Sequence, residues 1–148
     1  EKKFPNGKAM FSSTESKPSS EKPDKSYPFI LSTGRTLYHF NSGTMTHRAK
    51  GSIQKQPYPF VEISQADADD AGIKDGEMVR VTTKRGQISL AANITNRVMS
   101  KQVWIPIHFI TAPANLLTKD PSSTSRTNGN SNLMPEYKVS AAKVEKIQ

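Results

Sequence analysis

The sequence predicts a mainly-β fold, a barrel of about five or six short strands with one or two small helices. Apolar residues alternate along several short segments, and turn signals such as Asp75-Gly76 separate these segments. The chain of 148 residues is long enough for one domain with a core. Apolar residues make up 34% of it, below the usual share for a globular domain, so we expect part of the chain to be loop or tail.

The strand patterns are spread along most of the chain. The predicted strands are Tyr27–Ser32, Tyr58–Ser64, Glu77–Thr83, Gln87–Thr95, Val103–Ile110 and Tyr137–Ile147. The turn Lys84-Arg85-Gly86 joins the third and fourth as a hairpin. Pro106 indicates that the fifth lies at an edge, a bulge or the barrel rim. The last segment fits a strand or a helix, and its Val and Ile residues and the need to close the barrel favour a strand.

Helical signals are short and few. A helix is predicted to begin at Ser64 or Gln65, because acids fall in its first turns and Gly72 follows as a C-cap. Residues 47–57 are polar and predict a loop or a short helix, and residues 111–135 predict a loop. Residues 1–26 are rich in Lys, Glu, Ser and Pro, so we expect a linker or the tail of a preceding domain, with the barrel domain at 27–148.

The sequence lacks the residues or spacings that several kinds of site and segment require. The chain has no cysteine, which excludes disulfides, thiolate metal sites and iron–sulfur ligation within it. His39, His47 and His108 share no tight ligand spacing, so we predict neither a metal site nor a catalytic residue here. No apolar run approaches the roughly 20 residues of a membrane span, and the first residues lack the apolar core of a signal peptide.

The charge is basic and unevenly placed. The net charge is +8, and no Asp or Glu occurs between Asp24 and Glu62 or between Glu77 and Asp120. Such stretches attract phosphate-bearing ligands or nucleic acid. A solvated basic surface is the better explanation for scattered lysines. The aromatic-and-basic interleaving of nucleic-acid stacking platforms is missing, so we expect no nucleic-acid partner.

The segment Thr33–Thr46, T-G-R-T-L-Y-H-F-N-S-G-T-M-T, is rich in polar hydrogen-bonding groups and contains no acid. Gly34 permits a sharp turn and a close ligand approach, and Arg35 offers a planar fork suited to phosphate. The segment therefore suits an anionic, hydrogen-bonding ligand. Taken by itself it also fits a polar turn before a capped helix.

This segment resembles the T-G-R-x-L-x-H-[FWY]-[HN]-[ST]-G-x-M-T signature of molybdopterin-dinucleotide-binding domains in molybdenum and tungsten oxidoreductases. Four further stretches resemble that family in the same order. They are F-P-N-G-K-A-M-F (Phe4–Phe11), Y-P-F-I-L-S-T-G-R (Tyr27–Arg35), A-D-A-D-D-A-G-I-K-D-G-E-M-V-R-V (Ala66–Val81) and P-E-Y-K-V-S-A-A-K-V-E (Pro135–Glu145). The resemblance covers nearly the whole chain and looks closest to the formate dehydrogenase branch.

The resemblance implies a six-stranded double-psi β-barrel of the aspartate-decarboxylase-like type. It also implies a bis-molybdopterin guanine dinucleotide cofactor carrying Mo or W. The positions that match the family's cofactor contacts are Thr33, Gly34, Arg35, His39, Asn41, Ser42, Phe109, Asn115 and Lys138. Thr36 stands where some relatives have an acid.

The resemblance further implies a fragment of a formate dehydrogenase catalytic subunit. The metal ligand and a 4Fe-4S cluster would lie in upstream domains, so the fragment alone is expected to have no redox activity. Partners implied are those domains and electron-transfer subunits, without membrane insertion. We expect a cytoplasmic location, with the periplasm as the alternative. The alternative functions are a periplasmic or assimilatory nitrate reductase domain and a double-psi barrel used as a protein-interaction module.

Overall fold

The computed structural model describes residues 7–13, 15–16, 18–119 and 137–147. These ranges contain six β-strands, two α-helices and two 3-10 turns. The strands are β1 Phe29–Gly34, β2 Phe60–Ile63, β3 Met78–Thr82, β4 Gln87–Ile94, β5 Gln102–Pro106 and β6 Val139–Lys146. The helices are α1 Lys50–Lys55 and α2 Gln65–Ala71, and the turns are Thr46–Arg48 and Ala114–Leu116. The predicted loop beyond residue 119 and residues 4–6 of the resemblance lie outside the described ranges.

The strands close into a barrel in the order β1-β5-β2-β4-β3-β6. β1 runs parallel to β5 and β2 runs parallel to β4, whereas the other neighbours are antiparallel. The predicted mainly-β barrel is thus confirmed, including the β3–β4 hairpin and β6 as the closing strand. Closure leaves none of these strands with an open edge.

Alternating burial along the strands builds the core. β1 alternates buried and half-buried residues, and β4 alternates exposed and buried ones through its first half. The inward side chains include Leu31, Val61, Val79 and Ile105, each fully buried. The core therefore lies inside the barrel, and the loops at its ends remain available for other contacts.

Prolines set three of the strand ends. β1 and β2 begin directly after Pro28 and Pro59, two residues later than predicted, because proline has no N–H to donate to a ladder. β5 ends at Pro106 instead of continuing to residue 110 as predicted. As expected for a proline at the barrel rim, Pro106 is the last residue of its strand. His108 and Phe109 therefore belong to the segment that follows the strand.

The helix α2 has the caps that the sequence predicts. The Ser64 side chain accepts a hydrogen bond from the Asp67 N–H, and Gly72 has φ 63° in the left-handed region. α1 falls within the predicted loop-or-helix region. No helix in the described part of the chain is long and apolar enough to cross a bilayer.

The segment before β1 contains no helix or strand among its described residues. It contacts the β3–β4 turn through two ion pairs. Glu21 Oε2 lies 2.7 Å from Arg85 Nη2, and Asp24 Oδ2 lies 3.5 Å from Lys84 Nζ. The linker predicted for residues 1–26 therefore contacts the barrel at this turn.

Candidate functional site

Three separated segments meet at one end of the barrel. Because β1 and β5 are parallel, both end at the same edge, and antiparallel β6 begins there. The Thr33 N–H donates to the Lys138 carbonyl at 3.3 Å, and the Ile107 N–H donates to the Gly34 carbonyl at 3.1 Å. We call this region the loop end, defined as residues 33–49, 107–119 and 137–138. It contains all of the residues that the sequence assigns to the cofactor.

Arg35 and Asn41 lie on the exposed side of the loop after β1. The Arg35 guanidinium donates to Asn41 Oδ1 at 3.0 Å, which spans the loop between them. Asn41 has φ 51° and Gly43 has φ 77°, so the chain turns tightly here. The arrangement presents an exposed, oriented guanidinium to solvent, the kind of group that binds phosphate in two-pronged fashion.

His39 and Phe109 lie beneath this loop. His39 is 2% exposed, and its ring nitrogens lie 2.9 Å from Thr46 Oγ1 and 2.9 Å from the Gln56 carbonyl oxygen. Phe109 is also buried, and its ring meets the edges of the His39 and His47 rings. Both side chains support the loop from inside the chain. The cofactor contacts assigned to them stay predictions.

The remaining assigned residues differ in exposure. Thr33 is buried, and its hydroxyl donates to the Tyr137 carbonyl, which joins β1 to the start of β6. Ser42 and Lys138 are exposed. Asn115 is exposed in the 3-10 turn Ala114–Leu116, further along the segment after β5. Thr33 and Lys138 thus lie together where β1 ends and β6 begins. The segment that carries Asn115 continues to the β3–β4 turn, where the Leu117 carbonyl accepts from Thr83 and Arg85.

His108 is a residue of this region that sequence reasoning did not assign. It is fully buried, its Nε2 accepts from the Thr36 N–H at 3.0 Å, and its Nδ1 lies 2.7 Å from the Asn41 carbonyl oxygen. Burial lowers the pKa of His108, the hydrogen bond to Asn41 opposes this, and the nearby His39, Arg35 and His47 lower it further.

The three histidines converge at the loop end. The His39 and His47 rings, eight residues apart in the segment after β1, stack with centroids 4.4 Å apart, and the His108 ring lies 5.8 Å from that of His39. The sequence carries no signal for His108, because the pairing of β1 with β5 brings it to the other two. Within the described residues, no group of three His, Cys, Asp or Glu side chains is placed to hold a metal ion.

The electrostatics of the loop end favour an anion. Residues 33–49, 107–119 and 137–138 include no Asp or Glu. Their cations are Arg35, Arg48, Lys119 and Lys138. Together with amide and hydroxyl donors, this set fits the diphosphates and the polar edges of a pterin dinucleotide.

A cleft of about 840 Å³ borders the loop end. It runs along the barrel wall past Phe60 and Trp104 to the ion pair between Glu62 and Arg97. Of the residues assigned to the cofactor, the cleft takes in Arg35 alone. Arg35 therefore lies where the cleft and the loop end meet.

A closed barrel with an acid-free, glycine-containing loop at its parallel-strand end defines a class of protein, a β-barrel domain that binds an anionic ligand. Residues 29–135 match the family model described as "Molydopterin dinucleotide binding domain". The chain therefore belongs to the molybdopterin dinucleotide-binding domain family. The resemblance inferred from the sequence is confirmed.

Relatives in this family are parts of larger oxidoreductases. The chain is 38% identical to the F420-dependent formate dehydrogenase subunit alpha of Methanocaldococcus jannaschii, across 96% of this chain and 20% of that protein. It is 35% identical to a nitrate reductase of Symbiobacterium thermophilum, across 96% of this chain and 19% of that one. The chain thus spans about a fifth of the length of these relatives.

A solved structure shares the fold. Acetylene hydratase from Pelobacter acetylenicus superposes with a TM-score of 0.67 at 20% identity. The superposition covers 83% of this chain and 19% of that one. At this identity the match supports the barrel architecture alone.

Proposed function

We propose that this chain is the part of a formate dehydrogenase catalytic subunit that holds a bis-molybdopterin guanine dinucleotide carrying Mo or W. The observation that carries the proposal is that the acid-free loop after β1, the start of the segment after β5 and Lys138 meet at one end of the barrel. Formate dehydrogenase alpha subunits at 38–42% identity support this choice of parent enzyme. Nitrate reductases at 32–35% identity make a nitrate reductase the second candidate.

The chain's own residues would bind and orient the cofactor, whose metal supplies the redox chemistry when bound. The Arg35 guanidinium and the Lys138 ammonium would neutralise diphosphate charge, and Asn41 would orient Arg35 through its amide. The exposed Ser42 would supply a hydroxyl contact. The Thr33 N–H and hydroxyl and the Gly34 carbonyl already bind Lys138, Tyr137 and Ile107, so these two residues would shape the site next to the cofactor. The residues inside the barrel would take no part in the chemistry.

The length of the relatives supports the rest of the proposal. We infer that residues 27–148 form the cofactor-binding domain and residues 1–26 lead into it from a preceding domain. That upstream region would hold the metal ligand and a 4Fe-4S cluster, and separate subunits would carry electrons. Expression of the full subunit with metal and iron analysis, and assays with formate and with nitrate, distinguishes the two candidate parents.

The binding role can be tested on the 148-residue chain itself. Titration with GDP, which contains the guanine, ribose and diphosphate of the cofactor, should shift NMR resonances around Thr33–Ser42 and at Lys138. Arg35→Gln should weaken GDP binding by about tenfold, because a charge-assisted contact to phosphate is lost.

Arg80→Gln is the matched control, since Arg80 is an exposed arginine on β3, away from the loop end. It should bind GDP as the unmodified chain does. Equal weakening by both variants would mean that net charge alone attracts the nucleotide. Absence of any shift at the loop end would contradict the proposed function.

A further inference from the structure

The His108 ring contacts the loop after β1 at two points, Thr36 and Asn41. Thr36 follows Arg35 directly, and Asn41 carries the amide that orients Arg35. The His108 ring binds the backbone of both Thr36 and Asn41, so one buried side chain sets the distance between these two points. Between these two points, Leu37 is 87% exposed and contributes little packing. The buried His39 also holds this stretch, through its contacts with Thr46 and the Gln56 carbonyl.

The two backbone partners determine the protonation state of the ring. A peptide N–H can only donate, so Nε2 must carry a lone pair toward Thr36. A peptide carbonyl can only accept, so Nδ1 must carry the hydrogen toward Asn41. The ring is therefore neutral and in the Nδ1–H tautomer. Both partners are backbone groups, which cannot exchange donor and acceptor roles as a side-chain amide or a hydroxyl can. The Nε2–H tautomer would therefore break both hydrogen bonds.

We propose that His108 is a positioning residue that holds Arg35 and Asn41 in their ligand-binding geometry and releases the loop when its ring is protonated. This inference rests on the proposed function for the role of Arg35. The two hydrogen bonds of the His108 ring to Thr36 and Asn41, which we call the clamp, are a property of the chain alone. A proton on Nε2 would point at the Thr36 N–H and replace a hydrogen bond by two opposed donors. Thr36 would then lose its buried acceptor.

The charged and titratable groups that face His108 all disfavour a charged ring, and the Asn41 carbonyl opposes them. Arg35 and His39 face it from the loop, and His47 faces it from the 3-10 turn Thr46–Arg48, where Nε2 donates to the His108 carbonyl at 2.9 Å. The described residues of the loop end offer no carboxylate to balance an imidazolium.

The direction of the pH effect follows from this environment. Burial first, and then these neighbours, hold the pKa of His108 in the folded chain below its ordinary value of 6.5. The folded chain thus binds fewer protons than the unfolded chain in the window below pH 6.5. The clamp is fully present above that pH and is lost as the pH falls through the lowered pKa.

Two measurements on the ligand-free chain test the clamp. Ring-nitrogen NMR should show the Nδ1–H tautomer of His108 at about pH 7.5. The protection factor of the Thr36 amide against hydrogen exchange should fall by about tenfold or more as the pH is lowered through the pKa of His108, which the same NMR signals report. An Nε2–H tautomer, or a Thr36 amide whose protection does not change with pH, would overturn the proposal.

Variants of His108 and His47 distinguish a positioning role of the His108 ring from a role in packing alone. His108→Gln keeps an acceptor near the place of Nε2, so Thr36 should stay protected and its pH dependence should disappear. His108→Phe fills the space without an acceptor, so Thr36 should lose about tenfold in protection at every pH. His47→Phe removes a neighbouring histidine that does not bind Thr36 and should retain the pH dependence. Equal behaviour of His108→Gln and His108→Phe would contradict a role for the acceptor.

GDP titration of the same variants tests whether the clamp contributes to ligand binding at the loop end. His108→Phe should weaken GDP binding by about tenfold, and His108→Gln should restore most of it. If Thr36 protection behaves as expected but the unmodified chain binds no GDP, the proposed function fails and the clamp stands. If GDP binds the unmodified chain and His108→Phe equally well, the positioning role is wrong and the proposed function stands.

Discussion

Single residues at the loop end divide into those that face a ligand and those that hold them in place. Arg35 was predicted from its chemistry, because a guanidinium beside glycine and hydroxyl groups is typical of a phosphate site. His108 was not, because its partners are backbone groups of Thr36 and Asn41, 72 and 67 residues away. No residue pattern indicates such a contact. It depends on the parallel pairing of β1 with β5.

Asp67 is a second buried polar residue with a structural task. Its carboxylate is 1% exposed and accepts hydrogen bonds from the Ser64 and Ser100 hydroxyls and the Lys101 N–H, and Lys101 Nζ lies 3.1 Å away. Burial alone would raise the pKa of Asp67, but these hydrogen bonds outweigh burial and lower it from the ordinary value of 3.8. The residue thus joins the start of α2 to the start of β5.

Asp67→Asn should lower the free energy of unfolding by about 2–4 kcal/mol at neutral pH. Both carboxylate oxygens face donors, so the asparagine NH2 would have to point at one of them. Urea unfolding of the variant measures the loss. Asp69→Asn is the control, because Asp69 is exposed on the same helix, and it should change stability by less than about 0.5 kcal/mol.

The pH dependence gives a second readout for Asp67. Its pKa is lower in the folded chain, so its stabilising contribution is present above pH 3.8 and is lost as the pH falls through the lowered pKa. The difference in unfolding free energy between Asp67→Asn and the unmodified chain should therefore shrink in acid. A difference that stays constant down to about pH 2 would show that the charge of Asp67 contributes nothing.

At the scale of secondary-structure elements, the helix caps and the hairpin turn could be predicted from the sequence. The neighbour of each strand in the barrel could not. The caps of α2 and the β3–β4 hairpin follow from Ser64, Gly72 and the Lys84-Arg85-Gly86 turn, all of which act within a few residues. The parallel pairing of β1 with β5 joins strands about 70 residues apart, for example Thr33 with Ile105. Alternation identifies each strand and its inward face but carries no information about its neighbour.

Gly34 shows how closely β1 and β5 approach at the loop end. A Cβ built on Gly34 would lie 2.6 Å from Nε1 of Trp104 and 2.9 Å from Cζ2 of the same ring. Gly34→Ala should therefore lower the free energy of unfolding by about 1–3 kcal/mol, because the Trp104 ring or the strand must shift. Thermal or urea unfolding measures the change.

Two comparisons isolate the clash in Gly34→Ala. Gly51→Ala in α1 is the matched control, since a Cβ there meets nothing within 4 Å, and it should be neutral or stabilising by up to about 1 kcal/mol. Trp104→Leu should remove much of the penalty of Gly34→Ala in a double-mutant cycle. If the two substitutions prove additive, the Trp104 ring is not the source of the strain.

The whole molecule combines a core enclosed by the barrel with a loop end that exposes apolar side chains. The closed barrel buries Leu31, Ile63 and Leu90 almost completely. At the loop end, by contrast, Leu37 is 87% exposed and Ile110 is 88% exposed. The loop places Leu37 outward, and the buried His39, His108 and Phe109 form the interior of this end.

Replacement of both Leu37 and Ile110 by serine should raise the solubility of the 148-residue chain, because exposed apolar side chains on neighbouring segments promote self-association. The free energy of unfolding should change by less than about 0.5 kcal/mol, since neither side chain belongs to the core. Light scattering as a function of concentration, together with urea unfolding, measures both quantities.

The matched control replaces Met10 and Phe11 by serine, because these residues are 83% and 98% exposed in the segment before β1 and lie apart from the loop end in the sequence. Removal of the same number of exposed apolar side chains should have a smaller effect there if self-association occurs through the loop end. An equal gain in solubility from both pairs would assign the effect to overall hydropathy. A large loss of stability in the Leu37 and Ile110 variant would instead mean that these side chains order the loop, which would make the His108 ring only one of its supports.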